Sequence, residues 1–133
     1  AFSPYLTSQP CKYVELDYNG MFAKTYLSTE YQNNSYLSQQ HKVSLKLMPF
    51  DGFTFDTSAD IVKNELTKDV SKTMSLLDMG LSYRKKAMKI SFDIRNILNQ
   101  RQYAYTIYNS VNTFTYNYLL RGRECVCTVK LTM

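Results

Sequence analysis

The chain is poor in residues that interrupt regular structure and in residues that carry enzyme chemistry. Its 133 residues include no Trp, four Gly, three Pro and one His. The low Gly and Pro content excludes a collagen-like or low-complexity chain. No apolar run approaches the roughly 20 residues that a membrane-spanning helix needs, since Asp78 interrupts the longest candidate. We take residues 1–133 as a single domain, whose first ten residues are either irregular or hide one further strand.

Cysteine and histidine are too scarce to build a disulfide scaffold or a recognisable catalytic site. Cys125 and Cys127 lie two apart, so on a strand their Cα atoms are near the ~7 Å limit for a disulfide, and we expect none between them. With Cys11 they are interpreted as small apolar residues. His41 has no acid or nucleophile partner fixed by the sequence, and no P-loop or metal-ligand cluster occurs. We therefore predict no catalytic residue, no metal site, no cofactor and no enzyme activity.

The charge and the first residues allow only broad statements. A net charge of +5 permits acidic partners, but we favour the simpler interpretation of a solvated basic surface. The chain begins Ala-Phe-Ser-Pro-Tyr, without an initiator Met or a signal peptide. We expect this start to be a cut within a longer protein.

What the chain does have is alternation of apolar and polar residues. It occurs at residues 12–18, 21–31, 42–48, 53–62, 74–83, 88–95 and 124–133. A period of two indicates β-strands with one apolar face. Asn19-Gly20 predicts a hairpin turn, and short turns are expected at residues 49–52 and 84–86. We predict an all-β fold, an antiparallel up-and-down meander of about seven to eight strands.

Two regularities favour a transmembrane β-barrel over a soluble meander. The polar face carries Asp56, Asp78 and Asp93 in mid-strand, and short turns alternate with long polar loops expected near residues 33–34, 65–72 and 108–115. Outer-membrane barrels show this asymmetry, and their strands need about 9–11 residues to cross the bilayer. In lipid, only a closed barrel satisfies every strand edge. We therefore predict the last part of a larger barrel in a Gram-negative outer membrane, with the apolar face on lipid and the polar face on a wet interior.

One segment resembles a stretch near the end of TonB-dependent outer-membrane transporters. It is residues 89–103, Lys-Ile-Ser-Phe-Asp-Ile-Arg-Asn-Ile-Leu-Asn-Gln-Arg-Gln-Tyr. In that family a strand is followed by Asn-Leu-Phe-Asn/Asp and Lys-x-Tyr. Residues 118–124 and the alternating terminus resemble its last strand, and the Bacteroidetes-type barrels of this family are the most similar. The resemblance implies a wall and outer-loop segment of a nutrient-uptake barrel, with the plug and the TonB-contacting box upstream. The chain ends in Met133, whereas the family usually ends in an aromatic residue.

The resemblance also implies a role for residues 96–99, Asn-Ile-Leu-Asn. In the family this segment lies within a long penultimate strand, which predicts a bulge or bend here. An ordinary turn between two short strands is the alternative.

Two groups of residues are candidate sites. Strand parity places Arg121 and Arg123 on the lipid side at headgroup height, where they can meet lipopolysaccharide phosphates; alternatively, a bulge at Gly122 redirects them. The Tyr-rich stretch forms an aromatic girdle with an outer loop, or it contacts a ligand at the barrel mouth. Its candidate residues are Tyr105, Tyr108, Tyr116 and Tyr118.

The expected partners follow from this interpretation. They are outer-membrane lipid, lipopolysaccharide and, through upstream parts of the protein, TonB; nucleic acid is not expected. Because an excised wall has two open edges and an exposed apolar face, we expect the isolated chain to self-associate. The main alternative is a soluble lipocalin-like barrel that binds a small apolar ligand inside. A basic nucleic-acid-binding sheet has only the charge and the aromatic residues to support it.

Overall fold

The computed structural model describes residues 1–28, 33–67, 70–108 and 113–132, except for the side chains of residues 27, 33–34, 66–67, 70, 105–108 and 113. The described chain is all-β, as predicted. Its strands are β1 (Tyr5–Cys11), β2 (Val14–Ser28), β3 (Asn33–Leu47), β4 (Phe53–Thr67), β5 (Val70–Lys85), β6 (Met88–Arg95), β7 (Gln102–Tyr108), β8 (Thr113–Leu119) and β9 (Glu124–Leu131). Seven form one antiparallel sheet in the order β1-β2-β3-β4-β5-β6-β9, and β7 and β8 form a separate hairpin. The predicted antiparallel meander is confirmed.

The hairpin predicted at Asn19-Gly20 is wrong, because β2 continues through it and pairs with β3 on both sides. Gly20 does not form a turn, and its lack of a side chain leaves space for Tyr18 and Pro4. A Cβ on it would lie 2.7 Å from the hydroxyl of Tyr18 and 3.0 Å from Cγ of Pro4. A glycine within a strand commonly marks such a close approach. Since no turn intervenes, Met21 lies on the face opposite to Tyr18, whereas a two-residue hairpin would have placed both on one face.

The first residues form a strand rather than an irregular segment. β1 pairs with β2, and its register shifts between Ser8 and Cys11. Pro10 lies in this irregular part of an edge strand, where a missing backbone N–H breaks no ladder hydrogen bond. The further strand expected as the alternative near the start of the chain is therefore observed.

The long polar loops expected around residues 33–34 and 65–72 are mostly strand. β2 and β3 extend to residues 28 and 33, and β4 and β5 extend to residues 67 and 70. The four strands have 15 or 16 residues each. Of the loop expected around residues 108–115, residues 108 and 113–115 belong to β7 and β8, and residues 109–112 lie outside the described ones. The predicted alternation of short turns and long loops is therefore wrong at these connections.

Residues 96–99 form a turn, and the predicted bulge within a continuing strand is wrong. β6 ends at Arg95, and the N–H of Asn99 donates to the carbonyl of Asn96 at 2.8 Å. Both asparagines have positive φ, 51° and 55°, a conformation that Asn tolerates better than most residues. The chain leaves the sheet here, forms the β7–β8 hairpin and returns as β9. Glu124 at the start of β9 pairs with Arg95.

The fold has one main layer and little core. Among the described residues, Val62 and Ala104 are the only buried apolar ones, at 8% and 6% exposure. The accessible surface is 9,878 Å², whereas a compact monomer of this mass exposes roughly 7,200 Å². The sheet therefore leaves an apolar surface that a globular protein of this size would cover.

Candidate functional site: the two faces of the sheet

The sheet has one apolar face, built from side chains that share a parity across six strands. The register aligns Val14 with Leu47, Leu47 with Phe55 and Phe55 with Leu81, and the same row continues into β6 and β9. We call this surface the apolar face. It comprises Val14, Leu16, Tyr18, Phe22, Val43, Leu45, Leu47, Phe53, Phe55, Ala59, Ile61, Leu77, Met79, Leu81, Tyr83, Met88, Ile90, Phe92, Ile94, Cys125, Cys127, Val129 and Leu131.

The apolar face is exposed over much of its area. Leu81 and Phe92, which pair in mid-sheet, are each 42% exposed, and Val129 and Leu131 on β9 reach 60% and 66%. A contiguous exposed patch of this kind marks a surface that contacts lipid, a partner or a ligand. The apolar face is therefore the strongest candidate for a functional surface in the described chain.

The apolar side chains of this face are concentrated at one end of the sheet. We call this the turn end, because it holds the connections at residues 12–13, 48–52 and 86–87. Towards the opposite, far end the same parity carries mostly polar residues, among them Gln39, Lys63, Thr73 and Ser75, beside Leu37 and Tyr26. On β4 the apolar stretch runs from Phe53 to Ile61, with Thr57 at its centre. The apolar band thus ends part-way along strands that continue beyond it.

The opposite parity forms a polar face. Its members are Glu15, Asp17, Lys42, Ser44, Lys46, Asp56, Ser58, Asp60, Asp78, Ser82, Lys89, Ser91, Asp93, Arg95 and Lys130. Carboxylates and lysines alternate along its turn-end half. Lys46 lies opposite Asp56 in register and forms an ion pair with Glu15 at 3.3 Å. Because both partners are about half exposed, this ion pair contributes at most about 1 kcal/mol.

His41 lies on the apolar face beside Gly20 and makes a contact that the sequence did not predict. Its Nδ1 is 2.8 Å from the hydroxyl of Tyr18, and its ring packs edge-on against Phe22 at 5.1 Å between centroids. The close pairing of β2 with β3 at Gly20 brings these rings together. A polar hydroxyl–imidazole pair thus lies near the boundary between the apolar band and the polar far end.

The β7–β8 hairpin lies against the polar face near the far end. Ala104 of β7 is buried, and Val62, which it approaches, is the buried apolar residue of the polar face. Lys72 and Met74 of β5 line the same crevice. The hairpin therefore covers part of the polar face and leaves the apolar face free.

Asn96 fixes the hairpin to the sheet. Its Nδ2 donates to the carbonyls of Gln100 and Arg121 at 2.8 and 2.7 Å, and its Oδ1 accepts from the N–H of Gln100 at 2.8 Å. Its own N–H donates to Oδ1 of Asp78 on the polar face at 2.7 Å. At 7% exposure, it is the only buried polar residue among those described. The Asn96 side chain thus links the segment that enters the hairpin, at Gln100, to the segment that leaves it, at Arg121.

Arg121 and Arg123 lie before β9, so the strand parity that predicts a place on the lipid side does not apply to them. The guanidinium of Arg123 donates to the carbonyl of Ile97 at 2.9 Å from Nε and 2.5 Å from Nη2. Arg121 is 89% exposed and lies 3.7 Å from Glu124. Both arginines thus lie in the segment before the far end of β9. Arg123 is held against Ile97, and Arg121 extends into solvent.

Tyrosine rings line one face of the β7–β8 hairpin. Tyr103 stacks on Tyr118 at 6.4 Å between centroids, and Tyr118 stacks on Tyr116 at 6.5 Å. The backbone of Tyr105 pairs with Tyr116, while Tyr108 pairs with Thr113. The side chains of Tyr105 and Tyr108 lie outside the described ones. Of the four predicted aromatic residues, Tyr116 and Tyr118 are thus brought together, at 40% and 48% exposure.

The cysteines and acidic side chains form no further site in the part of the chain that the structure describes. All three cysteines are free and exposed. The described residues contain no group of three or more His, Cys, Asp or Glu side chains that could hold a metal ion. They also contain no helix long and apolar enough to cross a membrane. Comparison with protein-family models, with curated proteins and with solved structures finds no match for this chain.

Proposed function

We propose that the seven-stranded sheet forms part of the wall of a β-barrel in a Gram-negative outer membrane, with its apolar face on lipid and its polar face on a wet interior. The observation that carries this proposal is the pairing of one exposed apolar face with one charged face on the same strands. In a soluble sheet with one apolar face, that face packs on a core. Here the described chain places no layer on the apolar face, and its only additional layer lies on the polar face.

The dimensions of the apolar band support the proposal. The stretch from Phe53 to Ile61 is nine residues long, close to the roughly 9–11 that a tilted strand needs to cross the hydrocarbon. Strands of 15 or 16 residues exceed that length. The excess at the far end carries mostly polar side chains on the parity of the apolar face, as expected of strands that project beyond the bilayer.

The turn end has the aromatic residues that membrane barrels place at an interface. Tyr13, Phe50 and Tyr83 lie there at 44%, 57% and 38% exposure. Phe50 stacks on Phe53 at 4.9 Å between centroids. Amphipathic and aromatic rings gather at both rims of the apolar band in outer-membrane barrels. This rim supports the assignment of the turn end to one membrane–water interface.

The finer proposal comes from the family resemblance. It is that the wall belongs to a TonB-dependent-receptor-like transporter for nutrient uptake, with TonB contacted by other parts of the protein. In such a barrel the β7–β8 hairpin would lie over the wet interior at the far end. The segment with Arg121 and Arg123 would lie at the outer rim, where lipopolysaccharide phosphates are available.

Site-specific quenching tests which face meets lipid. Met79→Cys on the apolar face and Ser82→Cys on the polar face place one thiol each on β5, in a background with serine at the three native cysteines. After labelling with an environment-sensitive dye, the chain is reconstituted into bilayers. We expect brominated lipid to quench the label at position 79 and iodide to quench the one at position 82.

The same measurement separates the proposal from its rival. A soluble lipocalin-like barrel would hold position 79 inside, shielded from both quenchers, with the chain absent from the bilayer fraction. Equal quenching of both positions by iodide would mean that neither face contacts lipid. Either result would reject the membrane wall.

A further inference from the structure

A cluster of cations lies at the turn end of β5, β6 and β9. The register places Arg84 opposite Lys89, and Lys89 opposite Lys130, so three positive side chains stand abreast on the polar face. Lys86, in the β5–β6 turn, adds a fourth. Like charges directly opposite each other destabilise a sheet. Three cations in one row therefore destabilise the sheet unless an anion compensates their charge.

The ion pairs between described residues do not involve this cluster. Within the described chain, none of the four cations forms an ion pair with a carboxylate, in contrast to Lys46, which pairs with Glu15. The next row on these strands is Ser82, Ser91 and Thr128, which is uncharged. The positive charge is thus concentrated at one edge.

The backbone holds the cluster in a defined frame. The four cations surround an open groove that is completed by Ala87, Met88 and Thr132. The N–H of Thr132 donates to the carbonyl of Ala87 at 2.8 Å, which ties the end of β9 to the turn. The N–H of Arg84 donates to the carbonyl of Gly52 at 2.7 Å, which ties the same row to the β3–β4 turn.

We propose that this groove binds the phosphate group of an anionic ligand. Arg presents several N–H donors in a fixed plane, and three lysines add point charges, a combination suited to phosphate oxygens. The two sources of such a group are an anionic phospholipid headgroup and a soluble phosphorylated molecule. The inference does not rest on the membrane proposal, because the cluster is the same whether or not the apolar face meets lipid.

The test uses the whole 133-residue chain in maltoside micelles, which contain no phosphate. Calorimetric titration with pyrophosphate probes the soluble source, and native mass spectrometry of micelles doped with phosphatidylglycerol probes the headgroup. The test variant is Lys89→Gln with Lys130→Gln. The matched control is Lys24→Gln with Lys63→Gln, which removes the same charge from exposed far-end positions.

We expect the test variant to weaken binding about tenfold for each cation removed, and the control to change it less than about twofold. Because Lys89 stands between two cations, its replacement relieves repulsion, and the variant should melt no earlier than the wild-type chain. Lys89→Arg keeps the charge and should keep the affinity.

Binding of pyrophosphate alone assigns a soluble ligand, and retention of phosphatidylglycerol alone assigns a headgroup. No binding of either probe overturns the proposal. An equal loss of affinity in the test and control variants also overturns it, because the attraction would then be due to net charge alone.

Discussion

Replacing Asn96 tests whether one side chain holds the β7–β8 hairpin on the sheet. Asn96→Ala removes three side-chain hydrogen bonds, each with a net contribution of about 1 kcal/mol. It also places an alanine at a φ of 51°, a conformation that costs a non-Gly residue about 1 kcal/mol. We therefore expect the docked hairpin to lose about 4 kcal/mol.

Native-state hydrogen exchange measures this loss locally. The reporter is the N–H of Leu120, which donates to the carbonyl of Arg101 at 2.9 Å at the base of the hairpin. A loss of about 4 kcal/mol corresponds to an exchange rate roughly a thousandfold faster. The amides that pair β4 with β5 should keep their protection, because their ladder does not involve Asn96.

Two further variants separate the contribution of the hydrogen bonds from that of the positive φ. Asn96→Gly loses the same hydrogen bonds but tolerates the positive φ, so its effect should be about 1 kcal/mol smaller. Asn99→Ala also has a positive φ, but its side chain accepts only one described hydrogen bond, from the N–H of Arg123, in an exposed position. Its effect should be about 2 kcal/mol. Unchanged protection at Leu120 in Asn96→Ala, or equal deprotection of the β4–β5 amides, would show that Asn96 does not hold the hairpin on the sheet.

Three other outcomes are expected. Gly52→Ala should lower the unfolding free energy by at least about 2 kcal/mol in a denaturant titration, because Gly52 has a φ of 80° and an added Cβ would clash with the carbonyl oxygen of Arg84; an unchanged midpoint would contradict this. Leu81→Arg should impair insertion into bilayers by about 2–4 kcal/mol, whereas Ser82→Arg, one residue along on the polar face, should be tolerated; equal effects in a folding assay with lipid vesicles would contradict the assignment of the faces. Replacing both Arg121 and Arg123 with Gln should lower the amount of lipopolysaccharide that copurifies with the chain. An unchanged amount would contradict the proposed contact.

The fold class could be predicted from the sequence because one face of each strand is apolar over the band. The alternation at residues 53–62 and 88–95 reports that asymmetry directly, and both segments are strands in the structure. The signal disappears where both faces meet water. Residues 63–67 carry Lys, Asn, Glu, Leu and Thr without apolar alternation, so their sequence is typical of a loop although β4 continues through them. Alternation therefore underestimates strand length wherever the strands leave the apolar band.

Local turn signals failed where tertiary contacts decided the outcome. Asn19-Gly20 is a strong hairpin signal in isolation. In the structure both residues pair with β3 and remain extended, and the absence of a side chain on Gly20 leaves room for Tyr18. At residues 96–99 the asparagines do form a turn, and the hydrogen bonds of Asn96 to two distant segments could not be inferred from the sequence. The cluster at the end of β5, β6 and β9 likewise depends on a register that joins Lys89 to Lys130, far apart in the chain.

The pairing of β9 with β6 gives the hairpin segment a modular character. Arg95 and Glu124, which flank residues 96–123, are direct neighbours in the ladder, so their Cα atoms are about 5 Å apart. The whole excursion is a cassette between two adjacent strands, and a two-residue turn could replace it without changing the register of any other pair. Substitutions, insertions and even exchange of this cassette can therefore accumulate while the sheet that carries it stays the same.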